Sequence, residues 1–268
     1  MNRFQNIVWY LWIGFLLVGC ETRTPFPGGI AISFDDRFIE EWYELRPLFA
    51  NYGAKVTFYI HGDTLTEAEL KMLHELQNDG HEIAFHGTIH GDASQLLKNH
   101  GIEGYLDQEI RPGLAFFRRH GFNPTSYAHP GGTRTRKTDE ALLAKGFVTL
   151  RDVAKAERYY RGIKLYHIPP AFMPHIFYRF NDRKNLYALQ IDRETQLSVE
   201  EMKKAIRKAG EKGSVLMLFG HQPLPDNPTT EQYGFEIAFL KEILQEAQSA
   251  GLRFYTMSEL QRPNRRSL

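Results

Sequence analysis

Two short segments of the chain place carboxylates and imidazoles where they could act together. The segment AISFDDRF (31–38) ends a hydrophobic run with adjacent acids, Asp35 and Asp36, and the segment HGTIH carries His86 and His90 four residues apart. Histidines at this spacing lie about 5–6 Å apart on one face when the segment is helical, so both can reach one ion. A carboxylate would complete a two-histidine, one-acid set that leaves positions open for water and substrate, as a catalytic zinc or other divalent site requires.

The adjacent acids raise an electrostatic problem that a cation would solve. Neighbouring carboxylates raise each other's pKa, and neither is easily buried without a partner. Successive residues of a strand point to opposite faces, so Asp35 and Asp36 can share a task only if the strand ends there. A nearby cation would keep both acids ionised.

Each of these residues also has an ordinary structural explanation. An Asp-Asp pair is commonly a turn or a helix cap, and histidines four apart are commonly surface or capping residues. A histidine that directly follows a buried strand, as His221 does, is often a hydrogen-bonded structural group. These explanations stay open for each residue taken alone, and only the coincidence of several such residues favours a site.

The hydrophobic period alternates between strand and helix from Gly29 onward, which predicts an α/β fold with a parallel sheet covered by helices. The predicted strands are IAISF, KVTFYI, HEIAF, TSYAHP, FVTLRD, SVLMLF and LRFYTM. No clear period runs from Glu157 to Thr195, so we expect an irregular excursion there. The length, and the absence of GxGxxG after the first strand, favour a closed or nearly closed (β/α) barrel over an open doubly wound sheet.

In either parallel architecture, functional groups collect at the C-terminal ends of the strands. The predicted strand ends supply Asp35 and Asp36, His86, His129 to Gly132, Arg151 and Asp152, and His221. These residues would therefore lie on one rim. Aromatic residues near the same segments, which could stack on a sugar, are Trp42, Tyr127, Tyr166 and Phe172.

The N-terminus differs from the rest of the chain. One early cation, Arg3, precedes an apolar run that ends at the only cysteine, Cys20, and this pattern resembles a bacterial lipobox. We therefore expect a lipoprotein signal peptide at residues 1–20 with Cys20 lipidated, a linker at 21–28 and a catalytic domain at 29–262. The alternative is a buried N-terminal helix that happens to end in cysteine.

Composition limits the partners. The net charge is +1 and acids and bases are interspersed, so we expect no nucleic-acid partner. We expect a monomer in the bacterial cell envelope, attached to the membrane by a lipid anchor and facing the periplasm or the cell surface.

The motifs ISFDD, HGTIH, YAHPGG and LFGHQP, in this order, resemble those of the polysaccharide deacetylase family with the NodB homology domain, carbohydrate esterase family 4. The resemblance implies a distorted (β/α) barrel of about seven parallel strands. It also implies a metal-dependent hydrolase that removes N-acetyl groups from an N-acetylglucosamine-containing cell-envelope or extracellular polysaccharide. The implied cofactor is one divalent ion, with zinc expected and cobalt, nickel or iron as alternatives.

The resemblance also assigns roles to individual residues. Asp35 would be the catalytic base and His221 the general acid; Asp36, His86 and His90 would bind the metal; and Gly131, next to Pro130, would help to bind the oxyanion or the substrate.

The chain departs from the family pattern at two positions near these motifs. Ala128 stands where an arginine usually pairs with the base, which leaves Arg37 and Arg151 as possible partners, and Gly87 replaces the usual hydroxyl residue. The later motifs are also loose. The alternatives are a non-catalytic, metal-containing surface glycan-binding protein and a hydrolase of a small non-sugar amide.

Overall fold

The computed structural model describes residues 27–161, 163–225, 229 and 232–261. The predicted signal peptide at 1–20, Cys20 and most of the predicted linker at 21–28 lie outside the described residues. Among the described residues, no helix is both long enough and apolar enough to cross a membrane.

Strands and helices alternate along the described chain. The strands are β1 (Gly29–Asp36), β2 (Val56–Ile60), β3 (Glu82–Phe85), β4 (Ser126–Ala128), β5 (Thr149–Ala154), β6 (Glu157–Tyr160), β7 (Ile163–His167), β8 (Phe177–Tyr178), β9 (Asn185–Gln190), β10 (Val215–Gly220), β11 (Pro223–Leu224), β12 (Phe235–Glu236) and β13 (Arg253–Phe254). The α-helices are α1 (Ile39–Glu44), α2 (Arg46–Tyr52), α3 (Glu67–Asn78), α4 (Ala93–Tyr105), α5 (Arg111–Arg119), α6 (Arg136–Ala144), α7 (Val199–Lys212) and α8 (Ile237–Ser249). A π-helical turn, Leu106–Ile110, joins α4 to α5.

Seven strands form a closed parallel barrel. The order is β1, β2, β3, β4, β5, β9 and β10, and β10 pairs with β1 to complete the ring. The prediction of an α/β barrel of about seven parallel strands is therefore confirmed. Because the strands are parallel, their C-terminal ends meet at one rim.

Two strand predictions need correction. The segment predicted as an irregular excursion contains a barrel strand, β9, in addition to the β6–β7 hairpin. The last predicted strand, LRFYTM, contributes only the two residues of β13, which pair with β1 outside the ring. After β13 the chain turns under the barrel instead of entering it. There the Met257 N–H donates to Thr57 Oγ1 at 3.0 Å, and Met257 and Leu260 join the interior cluster.

The barrel interior follows the two-residue period of the strands. Small residues such as Ala31, Ala84 and Ala128 share the inner cluster with the large rings of Tyr59 and Phe219. The alternate apolar residues face outward and pack with the helices in a second, larger cluster. Small inner side chains on several strands leave space for a few large ones, so the interior can hold a long side chain without a void.

Local signals set the helix ends. The α3 helix begins with a capping box in which Thr66 accepts from the Glu69 N–H, and α7 begins with the same arrangement at Ser198 and Glu201. Gly213 ends α7 in the left-handed conformation. These ends fix where each helix returns the chain to the barrel.

His81, directly before β3, makes the stability of the fold depend on pH. Its side chain is 6% exposed, and its Nδ1 accepts the Val56 N–H at 3.2 Å. Burial, with the charge of Lys55, lowers the pKa of His81 to about 4. Between pH 6.5 and 4 the unfolded chain therefore binds a proton at this histidine and the folded chain does not. We expect the free energy of unfolding to fall as the pH falls through this range, by up to ~3 kcal/mol.

The measurement is urea unfolding of chelator-stripped protein at several pH values between 4.5 and 7, for the parent and for His81→Asn. Asparagine keeps an acceptor for the Val56 N–H but does not titrate. The variant should lose less stability on acidification than the parent. Equal losses would show that His81 is protonated alike in both states.

Candidate active site

The two adjacent acids leave the end of β1 in different directions. Asp35 follows the inward positions Ala31 and Ser33, so its side chain enters the barrel, where it is buried. Asp36 has a φ of 85°, which non-glycine residues rarely adopt. This left-handed residue ends the extended strand and turns the second carboxylate toward the rim. The strand therefore stops at the point that the shared use of both acids requires.

Asp36 meets the two histidines of the HGTIH segment at the rim. Its Oδ1 lies 3.6 Å from Nε2 of His86 and 3.4 Å from Nε2 of His90. One donor atom from each of the three residues lies within 4.8 Å of the others. Tetrahedral bonds to zinc of about 2.0–2.1 Å would separate such donors by about 3.3 Å. The donor types and their separations therefore fit a zinc ion.

The HGTIH segment is a loop and not the helical turn considered from its spacing, because β3 ends at Phe85 and α4 begins at Ala93. His90 has a φ of 54°, and the rings of His86 and His90 lie 4.9 Å apart. The short distance between the two rings therefore depends on this loop conformation. Contacts from outside the loop must stabilise it.

A backbone carbonyl sets the tautomer of His86. Nδ1 of this buried ring lies 2.9 Å from the carbonyl oxygen of Ala128. A carbonyl only accepts, so Nδ1 carries the hydrogen and Nε2 presents its lone pair to the three-residue cluster. Burial lowers the pKa of His86 to about 4. The ring is therefore neutral at physiological pH, as a metal ligand must be.

The carboxylate of the cluster is ionised. Burial alone would raise the pKa of Asp36, but a hydrogen bond with His90 and the charges of His86, His221 and His90 outweigh it and lower the pKa to about 2. The hydrogen bond with Asp36 raises the pKa of His90. A cation at this cluster would compete with protons for His90, so its affinity should fall in acid.

Asp35 forms a buried ion pair with Arg151 of β5. Nη2 of Arg151 donates to Oδ2 of Asp35, and the guanidinium lies 5.3 Å from the ring centroid of Tyr59 and 4.4 Å from that of Phe219. Oδ1 of Asp35 is buried and has no hydrogen-bond partner among the described residues. Oδ2 therefore pairs with the Arg151 guanidinium, and Oδ1 is available to accept a hydrogen bond.

Of the two candidate partners for the base, only Arg151 reaches Asp35. Arg37 instead donates to Glu69 at 3.1 Å. Arg151 lies directly beside Ala128 in the β4–β5 register. The guanidinium that the family pattern expects on one strand thus comes from the adjacent strand.

His221 follows β10 and is held by a carboxylate that the sequence analysis missed. Nδ1 of His221 lies 2.6 Å from Oδ2 of Asp192, and the His221 N–H donates to Oδ1 of Asp192 at 3.0 Å. Trp42 Nε1–H donates to the His221 carbonyl at 2.9 Å. Burial alone would lower the pKa of His221, but the hydrogen bond and charge of Asp192, with the charges of Asp35 and Asp36, raise it.

Tyr233 lies over His221 and was also missed. Its hydroxyl is 3.1 Å from Nδ1 of His221, the two ring centroids are 4.9 Å apart, and the residue is 47% exposed. Gln190 Nε2 donates to the same hydroxyl at 3.0 Å. This exposed aromatic face next to an imidazole could contact a substrate.

The other predicted residues vary in position. Pro130 and Gly131 form a turn directly after β4, with Pro130 buried and Gly131 exposed. Of the aromatic candidates, Trp42 and Tyr127 are buried and cannot stack on a sugar, whereas Phe172 is exposed. The side chain of Tyr166 lies outside the described residues.

Asp192 and Glu109 could not be identified from the motifs. Asp192 follows β9 just as the other site acids follow their strands, so recognition of NLYALQ as a strand would have revealed it. Glu109, in the π-helical turn, accepts the N–H groups of Ile89 and Gly91 on either side of His90. No pattern in the sequence marks it.

Comparison with known proteins agrees with the fold. Residues 23–150, which include the three-residue cluster but not His221, match the family model described as polysaccharide deacetylase. No curated protein matches the chain significantly.

Solved structures share the fold. A chitin deacetylase from the fungal pathogen Colletotrichum lindemuthianum superposes with a TM-score of 0.54 at 15% identity, covering 88% of this chain and 88% of that chain. A peptidoglycan deacetylase from Bacillus subtilis gives 0.53 at 17% identity, covering 88% and 91%. The Xyl-CE4 domain of a multidomain xylanase from the hindgut metagenome of Trinervitermes trinervoides gives 0.51 at 16% identity, covering 87% and 89%. Residues 23–150 therefore resemble the polysaccharide deacetylase family, and the seven-stranded barrel has the fold of these solved deacetylases.

Proposed function

We propose that this protein is a metal-dependent hydrolase that removes N-acetyl groups from an N-acetylglucosamine-containing cell-envelope or extracellular polysaccharide. The observation that carries the proposal is the convergence of Asp36, His86 and His90 at zinc-like donor separations. A second buried carboxylate, that of Asp35, lies 3.8 Å from His86 Nε2. The match of residues 23–150 to the polysaccharide deacetylase family model supports the deacetylase class.

Asp36, His86 and His90 would hold one divalent cation, with zinc first and cobalt, nickel or iron as alternatives. When bound, the cation would acidify a water molecule and polarise the acetamido carbonyl. The residues themselves supply the donors: an ionised carboxylate, a neutral imidazole with its tautomer fixed, and a second imidazole.

Asp35 would act as the general base. Its Oδ2 stays on Arg151 while the unpartnered Oδ1 accepts a proton from the attacking water. The pair with Arg151 also places a positive charge beside this buried carboxylate. The water oxygen bonds to the acetyl carbon as this proton leaves.

His221 would act as the general acid. Its raised pKa keeps the imidazolium available, and Asp192 on Nδ1 directs Nε2–H toward the leaving group. As the carbon–nitrogen bond breaks, the proton on Nε2 passes to the departing amine. The products are acetate and a free amino sugar.

The remaining contributors contact the substrate. The Gly131 N–H, in the exposed turn after Pro130, would help to bind the oxyanion. The exposed face of Tyr233 beside His221 would pack on a sugar ring. The predicted leader and lipidated Cys20 would attach this monomeric enzyme to a bacterial envelope membrane.

The first test is acetate release from N-acetylglucosamine oligomers with β-1,4 and β-1,6 linkages. We expect release by zinc- or cobalt-loaded protein, little after chelation, and a loss of at least ~10²-fold in Asp35→Asn, because a positioned base contributes about 10²–10⁴-fold. The double variant His86→Ala, His90→Ala should lose both zinc binding and release. Unchanged zinc affinity in that variant would refute the metal site. Zinc and glycan binding without release would favour the glycan-binding alternative.

Asp192 generates a prediction about pH. Removing its charge in Asp192→Asn should lower the pKa of His221, because that charge is one of the groups that raise it. A general acid works below its pKa, so the alkaline limb of kcat/KM should move to lower pH. The control is Glu194→Gln, a nearby carboxylate that bonds to Gln190. An alkaline limb that stays fixed in Asp192→Asn would remove His221 from the role of acid.

We predict that an arginine at position 128 of β4 can partly replace Arg151 of β5. Arg151→Ala leaves the Asp35 carboxylate buried without its cation, so it should lower the free energy of unfolding by about 3–5 kcal/mol. The double variant Ala128→Arg, Arg151→Ala should recover part of this stability, because the two positions are neighbours in register.

The matched control is Arg37→Ala, which breaks only the partly exposed pair with Glu69 and should change stability by less than ~1 kcal/mol. A larger loss of stability in Arg37→Ala than in Arg151→Ala would contradict the assignment of Arg151 as the partner of Asp35.

A further inference from the structure

The loop that carries His90 is held by one buried carboxylate. Glu109 is fully buried, and its Oε2 accepts the Ile89 N–H at 3.2 Å. Both carboxylate oxygens lie 3.2 Å from the Gly91 nitrogen. The two N–H groups flank His90 on either side. Since His90 has a φ of 54°, the backbone around this ligand is in a conformation that needs external support.

The backbone of Glu109 also bonds to the His90 loop. Its carbonyl oxygen accepts the Thr88 N–H at 2.8 Å and the Thr88 hydroxyl at 3.0 Å. The Thr88 hydroxyl oxygen in turn accepts the Gly113 N–H at the start of α5. Side chain and backbone of one residue therefore bind three residues of the His90 loop.

Glycine at position 87 makes room for this carboxylate. A Cβ added to Gly87 would overlap Oε1 of Glu109, and Gly87 has a φ of 90°. No side chain at position 87 can coexist with Glu109 in its present position. The buried carboxylate of Glu109 therefore requires a glycine at position 87, where the family pattern has a hydroxyl residue.

The surrounding helix delivers the carboxylate to this point. Glu109 lies in the π-helical turn Leu106–Ile110 between α4 and α5. Single π-helical turns inside helices are frequent at functional sites. Burial of a carboxylate costs free energy unless the carboxylate is hydrogen-bonded. The hydrogen bonds of the Glu109 side chain go to the N–H groups that flank His90.

We propose that Glu109 is a positioning residue for the metal site, which holds His90 against His86 and Asp36 in place of a hydroxyl side chain at position 87. This inference rests on the proposed metal-dependent function. Glu109 would act through the backbone N–H groups on both sides of a ligand, and not as a ligand itself. Loss of such an outer contact typically costs 10–100-fold in metal affinity.

The test measures zinc affinity of chelator-stripped full-length protein by competition with a chromophoric chelator, and cobalt absorption as a report on ligand geometry. Glu109→Ala should weaken zinc binding about 10–100-fold and alter the cobalt spectrum. Glu109→Gln, which keeps one acceptor oxygen, should lose less. Gly87→Ser alone should also weaken binding, because its side chain meets Glu109.

The decisive variant is the double exchange Gly87→Ser, Glu109→Ala. Its hydroxyl enters the space that the carboxylate leaves, so zinc affinity should rise above that of Glu109→Ala. The matched control is Glu103→Ala, which removes an exposed glutamate paired with Arg111 and should bind zinc like the parent.

The outcomes separate the two proposals. If the parent binds zinc through His86 and His90 but Glu109→Ala and Glu109→Gln bind it equally well, the positioning role is wrong and the metal site stands. If Gly87→Ser, Glu109→Ala binds no better than Glu109→Ala, the exchange between the two positions is wrong. If the parent itself binds no zinc, both the proposed function and this inference fail.

Discussion

The ion pair between Asp35 and Arg151 is the interaction on which the rest of the site depends. Both side chains are buried inside the barrel, where a lone charge would cost several kcal/mol and an opposite charge in contact offsets part of that cost. The long arginine fits because Ala31 and Ala128 are small inner residues, and the Phe219 ring lies beside its guanidinium. The packing of the barrel interior therefore also determines the partner of the predicted base.

The same constraint explains why adjacent acids can have different tasks. The two-residue period of β1 directs Asp35 inward to Arg151, and the left-handed backbone of Asp36 directs the next carboxylate to His86 and His90. Each carboxylate then has its own positive or hydrogen-bonding partners, so the two do not compete for one site. A regular extended residue at position 36 would point away from the barrel and could not complete the three-residue cluster.

Sequence patterns predicted the barrel and the rim because strands alternate with helices and the acids and histidines follow strands directly. They failed where a contact joins distant residues. Asp192 meets His221 across a segment whose period is blurred, and the choice of Arg151 over Arg37 depends on register between β4 and β5. The turn chemistry of the π-helix that brings in Glu109 has no sequence signature. Local propensity fixes elements, whereas tertiary packing fixes these partners.

The two departures from the family pattern, Ala128 and Gly87, have the same physical explanation. Each lacks a functional group at its own position, and each has a neighbour in space that supplies the chemistry: Arg151 in register beside Ala128, and Glu109 against Gly87. What the site requires is a cation at Asp35 and an acceptor at the His90 loop, whichever residue delivers them. A missing motif residue argues against catalysis only when no neighbouring residue supplies the same functional group at that point. Here both places are filled, so these departures do not favour a non-catalytic glycan-binding protein.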